Sequence, residues 1–392
     1  MRIEKRNVLP LLAFCALQAC SGQQKINSTQ PPCKAPVPDA YWQVASADSQ
    51  GFSETRLCES LTAVARSSDN VHSVLVERHG RIVGEVYRTG KDRTLMDSTF
   101  WPFATTTAFS EATLHDQRSV TKSIVSLLIG ISIDRGQLKT DQLVLDSYPE
   151  LKELQNGGRE TITVKDLLMM SSGLDWAEMG HGPLTSDELP LLWKKDPVAY
   201  FFDRKLTSLP GTTFNYAGGS TMSLADLLVR VRKESLQQIA QKELFNPLEI
   251  KEVDWATNFR DVPLPHAGLR LKPRDMLKIG RLLNQNGKWN GKQIVSEAWI
   301  KTSLAPLIKT NINLMSVGGE DVYYGYQWWT GSMDWHGRKL QWSAGIGNGG
   351  QRIFVVPELD LTCVITSGDY GDREIQQTVS KIFFSVLASI KE

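Results

Sequence analysis

The 392 residues offer little that would recruit a partner by charge alone. Lys and Arg number 44 against 43 Asp and Glu, for a net charge of +1. Neither sign dominates, so no bulk field draws in nucleic acid or an anionic membrane. Histidine occurs six times and cysteine five times. The histidines show no partner pattern along the chain, and no Cys/His cluster has metal-ligand spacing. We therefore expect no metal and no other cofactor. A Ser-His-Asp hydrolase is not indicated either, because Gly130-Ile131-Ser132-Ile133-Asp134 fails the G-x-S-x-G pattern at its last position. The apolar stretch Val8 to Leu17 is too short to span a bilayer.

What is present begins with an address. Arg2, Lys5 and Arg6 precede that stretch, and Ala19-Cys20-Ser21 follows it. The pattern resembles a bacterial lipobox. That resemblance implies loss of residues 1–19 as a signal and lipidation of Cys20. Residues 20–38 then read as a polar, proline-bearing tether. Ser21 after the cysteine leans toward the outer membrane, facing the periplasm. A lipid anchor is the only membrane contact expected. Cys33 and Cys58 would sit in an oxidising compartment. They either pair, closing a loop of roughly 25 residues worth about 3 kcal/mol, or stay as two thiols. Cys363, in Leu361-Thr362-Cys363-Val364-Ile365, reads as a packed core thiol.

Ser53 caps a helix through Leu57, Leu61 and Val64. Val74-Leu75-Val76 and Ile82 to Tyr87 flank His79-Gly80-Arg81 as a hairpin. Lys91 to Gln117 reads as irregular. From Ser119 to about Arg135 the spacing predicts a helix so apolar that it must be buried. Further helices are expected near 162–170, 198–202, 224–231, 237–244 and 273–283. Strands are expected at Gly325 to Trp329, Leu340 to Ser343, Arg352 to Val356 and Leu361 to Thr366, followed by a helix over 373–390. Strands near both chain ends thus enclose a helical middle. The predicted class is α/β (α+β): an antiparallel sheet flanked by terminal helices, from 39–105 and 261–392, plus a mainly helical domain over 106–260. The site would lie at their junction.

Ser119 and Lys122 stand three apart at the head of the buried helix, on one face. A serine hydroxyl needs a base to become a nucleophile, and a lysine held neutral by burial can be one. The helix N-terminus adds partial positive charge and an N–H for an oxyanion. The competing reading is a capping serine beside a solvent lysine. His266, in Pro265-His266-Ala267-Gly268, reads mainly as structural.

Arg118-Ser119-Val120-Thr121-Lys122-Ser123 resembles the first motif of the serine β-lactamase-like superfamily, in its class C and penicillin-binding branch. Ile162 to Leu168 with Ser171-Ser172-Gly173-Leu174, Leu209-Pro210-Gly211 to Tyr216, Gly268-Leu269-Arg270 with Arg274-Asp275-Met276, and Gly349-Gly350-Gln351 follow in the superfamily's order. Within it, the chain is most similar to 6-aminohexanoate-dimer hydrolases and related esterases. The resemblance implies a β-lactamase-like fold, Ser119 as nucleophile, Lys122 as its partner, and Tyr216 as the proton-shuttling tyrosine of a Tyr-x-Asn motif. A tyrosine beside an ammonium is expected to have a lowered pKa. Two departures stand out. Gly218 occupies the motif's asparagine position. Ser343-Ala344-Gly345 stands where β-lactamases carry Lys-Thr-Gly, which makes the N–H of Ile346 the second oxyanion donor beside that of Ser119. Losing that lysine removes the cation for a β-lactam carboxylate. Trp176 and Trp329, with Ser343 and Gly345, are candidate substrate contacts. The expected function is hydrolysis of a small ester or amide, such as a linear aminohexanoate oligomer. The alternatives are a β-lactamase or D-alanyl-D-alanine peptidase, and a non-catalytic, lipid-tethered binding protein.

Overall fold

The computed structural model describes residues 36–96, 103–182, 185–312 and 321–392. The signal, Cys20, Cys33 and most of the tether lie outside the described residues. Cys58 is disulfide-bonded, and Cys363 is a buried free thiol. Among the described residues no helix is long and apolar enough to cross a membrane.

The chain opens with β1 (Gln43–Val44) and α1 (Glu54–Arg66), where Ser53 Oγ accepts the Arg56 N–H as N-cap. The hairpin β2 (Val71–Arg78) and β3 (Arg81–Tyr87) turns through His79 and Gly80, both in the left-handed region. The next stretch is not irregular throughout. β4 (Thr89–Asp92) pairs with β5 (Thr105–Ala108), and β6 (His115–Asp116) follows. Threonine-rich runs suit an extended, half-exposed ladder, a signal the polar composition concealed.

The helical part comprises α2 (Val120–Asp134), α3 (Val164–Leu168), α4 (Pro197–Phe202), α5 (Gly218–Arg232) and α6 (Leu236–Ala240). Residues Val120 to Ser132 of α2 are all buried, the polar Thr121, Lys122, Ser123, Ser126 and Ser132 among them. The helix expected near 224–231 begins at Gly218 instead. Gly219 lets it pass against Phe201 of α4, where a Cβ would stand 2.2 Å from Phe201 Cδ2.

The chain returns through β7 (Asp254–Trp255), β8 (Leu269–Leu271), α7 (Pro273–Asn284), β9 (Lys288–Trp289), β10 (Lys292–Gln293), α8 (Glu297–Ser303) and β11 (Ile308–Lys309). It ends with β12 (Val322–Tyr324), β13 (Trp329–Trp335), β14 (Arg338–Gly347), β15 (Gln351–Val356), β16 (Leu361–Ser367) and α9 (Glu374–Ala388). The strand expected over 325–329 is a turn between β12 and β13. Gly325 abuts the Ser303 carbonyl and Gln327 has φ +63°. The buried Gln327 amide donates to Leu167 O and Leu168 O and accepts from Thr221 Oγ1. These bonds tie the sheet to α3 and α5.

Among the described residues the main sheet has nine strands in the order β1-β3-β2-β16-β15-β14-β13-β12-β11. All its pairings are antiparallel except β1 with β3. β15 and β16 are wholly buried because both faces are covered. Adjacent residues point to opposite faces. Phe354 stacks on Phe383 of α9 at 4.1 Å. Ile353 and Thr362 face α7, where a Cβ at Gly280 would meet Thr362 Cγ2 at 2.2 Å. On that same face, Gly345 of β14 brings the sheet against the head of α2: a Cβ there would lie 3.2 Å from Val120 Cγ1 and 3.4 Å from Ser123 Oγ. The short sheet β6-β8-β7 holds the segments that lead into α2 and α7. The site forms where α2, β14 and the loops before α5 meet.

Candidate active site

The residue before the α2 cap is strained. Arg118 has φ +47°, a region β-carbons avoid. Its N–H donates to Asp116 Oδ1 at 3.0 Å, and its guanidinium lies 3.9 Å over the Tyr370 ring. These contacts hold the turn that delivers Ser119 to the N-cap of α2. Ser119 makes no side-chain cap bond, which sets aside the capping reading. Lys122 Nζ instead donates to Ser119 Oγ at 3.2 Å and to His266 O at 3.0 Å. The Lys122 side chain is 1 % accessible, so it is not a solvent lysine.

Tyr216 arrives from the loop before α5. Asn215 fixes that loop, its N–H donating to Met170 O and its amide to the Leu174 and Trp176 carbonyls. The Ser119 side chain acts to lower the Tyr216 phenol pKa, and Lys122 Nζ lies 4.8 Å from the ring centroid. The three residues are thus brought together. The expected lowering of the Tyr216 pKa is not found. Burial, then the Glu178 carboxylate, push it well above the ordinary phenol value, against the opposing effect of the Ser119 side chain. Tyr216 rests as a phenol.

Glu178 is what the sequence did not disclose. Its Oε2 accepts the Gly218 N–H at 2.5 Å and the Trp176 indole N–H at 2.8 Å, and Oε1 is 3.7 Å from Lys122 Nζ. A Cβ at Gly218 would stand 3.2 Å from Glu178 Oε2. The glycine in the asparagine position therefore makes room for a carboxylate beside the lysine. A lone acidic residue in a loop carries no sequence signal for this. Glu188 adds a second carboxylate, with Oε1 3.7 Å from His266 Nε2. Its side chain keeps about a third of its surface open (34 %), yet the packing around it matters more. Desolvation, then Glu178, raise the Glu188 carboxyl to about 7, while Lys122 and Arg118 pull the other way. His266 contributes its carbonyl to Lys122, and burial and the Lys122 charge hold its ring well below the usual imidazole pKa.

A cavity of about 230 Å³ lies beside Tyr216 and Glu178, walled also by Trp176, Phe214, Asn311 and Ile312. Trp176 lines it. Trp329 stands one layer behind, stacked on Tyr216 at 5.7 Å and edge-on to Phe214. Ser343 is buried and donates its hydroxyl to Thr330 Oγ1 at 3.2 Å. The ladder between β13 and β14 stops at Trp329 and Ala344. Gly345 and Ile346 therefore continue past the end of β13, level with the first turn of α2. A buried amine on a serine, a phenol ring beside that amine and a strand edge beside a helix head form a site suited to nucleophilic acyl transfer.

The beta-lactamase family model matches residues 73–378, and the chain belongs to that family. It is a serine hydrolase of the β-lactamase-like type. The 6-aminohexanoate-dimer hydrolase of Paenarthrobacter ureafaciens is 24 % identical over 301 residues, 74 % of this chain and 70 % of that protein. A penicillin-binding protein homologue from Caulobacter crescentus superposes with a TM-score of 0.64 at 15 % identity, over 89 % of this chain and 100 % of that one. A family VIII carboxylesterase does so with 0.63 at 16 % identity, over 88 % and 98 %. At these identities the solved structures establish the shared fold.

Proposed function

We propose that the chain cleaves an acyclic ester or amide by acyl transfer to water, with Ser119 as nucleophile. The observation that carries this reading is the buried Lys122 amine 3.2 Å from Ser119 Oγ. Ser119 attacks the carbonyl carbon and its proton passes to Lys122, which takes part in this step as the neutral amine and not as the ammonium that pairs with Glu178. The backbone N–H groups of Ser119 and Ile346 hold the oxyanion. The Tyr216 phenol protonates the leaving oxygen or nitrogen and is reprotonated from Lys122. Water then attacks the acyl-enzyme with these roles reversed.

The acidity of the cavity favours one substrate class over another. Glu178 faces Lys122 and Glu188 faces His266, and Ser343 stands where a cation would serve a β-lactam. A substrate carboxylate would meet two acidic groups there, which disfavours penicillins. A linear amide whose acyl half bears a free amine, as in the aminohexanoate dimer named for the Paenarthrobacter relative, matches the charge on that side, and the carboxylate of its leaving half would have to point away from the two acidic groups. Its apolar chain would run along Trp176 and Ile312. A fluorophosphonate probe is expected to label the wild type. Ser119→Ala is expected to lose the label and at least about 10³-fold in turnover. Undiminished labelling of that variant would sink the proposal. Nitrocefin turnover faster than that of linear esters and amides would favour the β-lactam reading.

We also propose that Cys20 carries a lipid that holds the hydrolase at the outer membrane. Cys20→Ala is expected to shift the chain from the membrane to the soluble fraction. Unchanged membrane association in that variant would overturn the proposal.

A further inference from the structure

Behind the turn that carries Ser119, β2, β4 and β6 bring together His72, Asp92 and His115. They are 0, 7 and 0 % exposed, and their ligand atoms lie within 4.8 Å of one another. None takes part in the chemistry above, and no spacing along the sequence relates them.

Hydrogen-bond direction fixes the protons on both rings. Lys91 N–H donates to Asn70 Oδ1 at 2.8 Å, and Asn70 Nδ2 donates to Lys91 O at 2.7 Å, so the Asn70 amide cannot be turned over. His72 Nε2 faces Asn70 Oδ1 and Lys91 O, each at 3.1 Å. Both are pure acceptors, so this nitrogen carries the hydrogen. His115 Nδ1 faces Asp116 O at 3.0 Å and likewise carries one. The two remaining nitrogens, His72 Nδ1 and His115 Nε2, then meet at 2.7 Å, lone pair to lone pair. Two neutral imidazoles repel in that arrangement. A cation between them removes the conflict, either a shared proton or a metal ion.

The donor set fits the metal. Asp92 supplies a third ligand, and two imidazoles with one carboxylate form a donor set for zinc or a related first-row dication. Each ring's outer N–H is held by a carbonyl, the arrangement that fixes the tautomer of a metal-bound histidine. Asp92 Oδ1 accepts the Tyr370 O–H at 2.7 Å, which orients the carboxylate. Phe109 stacks on His72 at 3.9 Å and 12°. Gly90 and Gly368 close in on the same ring, where a Cβ would come within 2.5 and 2.6 Å of it. We propose that His72, His115 and Asp92 bind a divalent transition-metal ion, zinc by donor set, with water completing its coordination. Metal–nitrogen bonds of about 2.0–2.1 Å place two ligand nitrogens roughly 3.3 Å apart, so the rings part by about half an ångström on binding. His115 leads directly into Asp116, which receives the Arg118 and Leu95 N–H groups. The ion would brace the nucleophile's turn from behind, away from the reacting atoms.

Metal analysis of the purified, untagged full chain, before and after incubation with zinc, tests the proposal. The expected result is one zinc per chain. A chelator is expected to lower Tm by about 5 °C, reversibly on zinc addition, and cobalt(II) to give visible d–d bands. Asp92→Asn keeps the shape and the acceptor for Tyr370 but removes the charge. It and His115→Asn are expected to lose the ion, while His79→Asn, on the hairpin turn, keeps it. No uptake from excess zinc and a chelator-insensitive Tm would overturn the proposal. So would nitrogen NMR showing one imidazolium proton shared by the two rings.

Discussion

Glu178 sits against the lysine that contacts Ser119. Its carboxylate receives two N–H groups and faces the Lys122 amine, and it is the second cause of the raised Tyr216 pKa. Glu178→Gln keeps the size and one acceptor but removes the charge that pairs with Lys122. We expect kcat to fall about tenfold with little change in KM, because the loss bears on proton transfer more than on ground-state binding. Steady-state kinetics on a chromogenic ester would measure it, and an unchanged kcat would remove Glu178 from the mechanism. Ser119, Lys122 and Tyr216 were legible in the sequence because each sits in an ordered local motif. Glu178 and Glu188 were not, because their positions depend on how a loop folds back over α5.

Elements meet at this site through glycine. β14 approaches the first turn of α2 at Gly345, and a methyl group there would press on Val120, Trp328 and Ser123 at 3.2 to 3.4 Å. Gly345→Ala is expected to move the strand by a few tenths of an ångström. The Ile346 N–H moves with it, so kcat/KM should fall about tenfold while Tm drops only a few degrees. A large Tm loss with intact kcat/KM per folded molecule would show that the contact serves packing alone. Helices with strong periodicity, such as α2 and α7, were readable as elements. The turn at Gly325 to Trp328 was not, because its aromatic residues are rich in strand propensity and the buried Gln327 amide reverses the chain there.

Across the whole molecule, one buried carboxylate links pH to global stability. Glu77 on β2 is fully buried, accepts the Gly80 N–H at 2.6 Å, and faces Arg281 of α7 at 3.5 Å. Desolvation outweighs that arginine and raises the carboxyl to about 7. The folded state therefore holds this proton more tightly than the unfolded chain. Its contribution to stability is fully present below the ordinary carboxyl range and is lost as pH rises toward 7 and beyond. The span is on the order of 3 kcal/mol. Glu77→Gln keeps the acceptor for Gly80 and does not titrate. Urea unfolding at pH 5 and pH 8 is expected to show the variant gaining on the wild type at the higher pH. A constant difference between the two would mean that Glu77 does not titrate in this window.

The sequence by itself determined the class of fold and the family, and it pointed to Ser119, Lys122 and Tyr216 as neighbours. Local periodicity and ordered motifs suffice for these. The tertiary structure decided the electrostatics. It seated Glu178 in the room left by Gly218, held Tyr216 as a phenol by burying it, and brought His72, Asp92 and His115 from three strands to one point. Burial and through-space charge belong to no segment of the chain, so no reading along it could supply them. Ser119 and Lys122 were visible as neighbours on a helix, but the carboxylate and phenol that set their chemistry are neighbours only in the folded molecule.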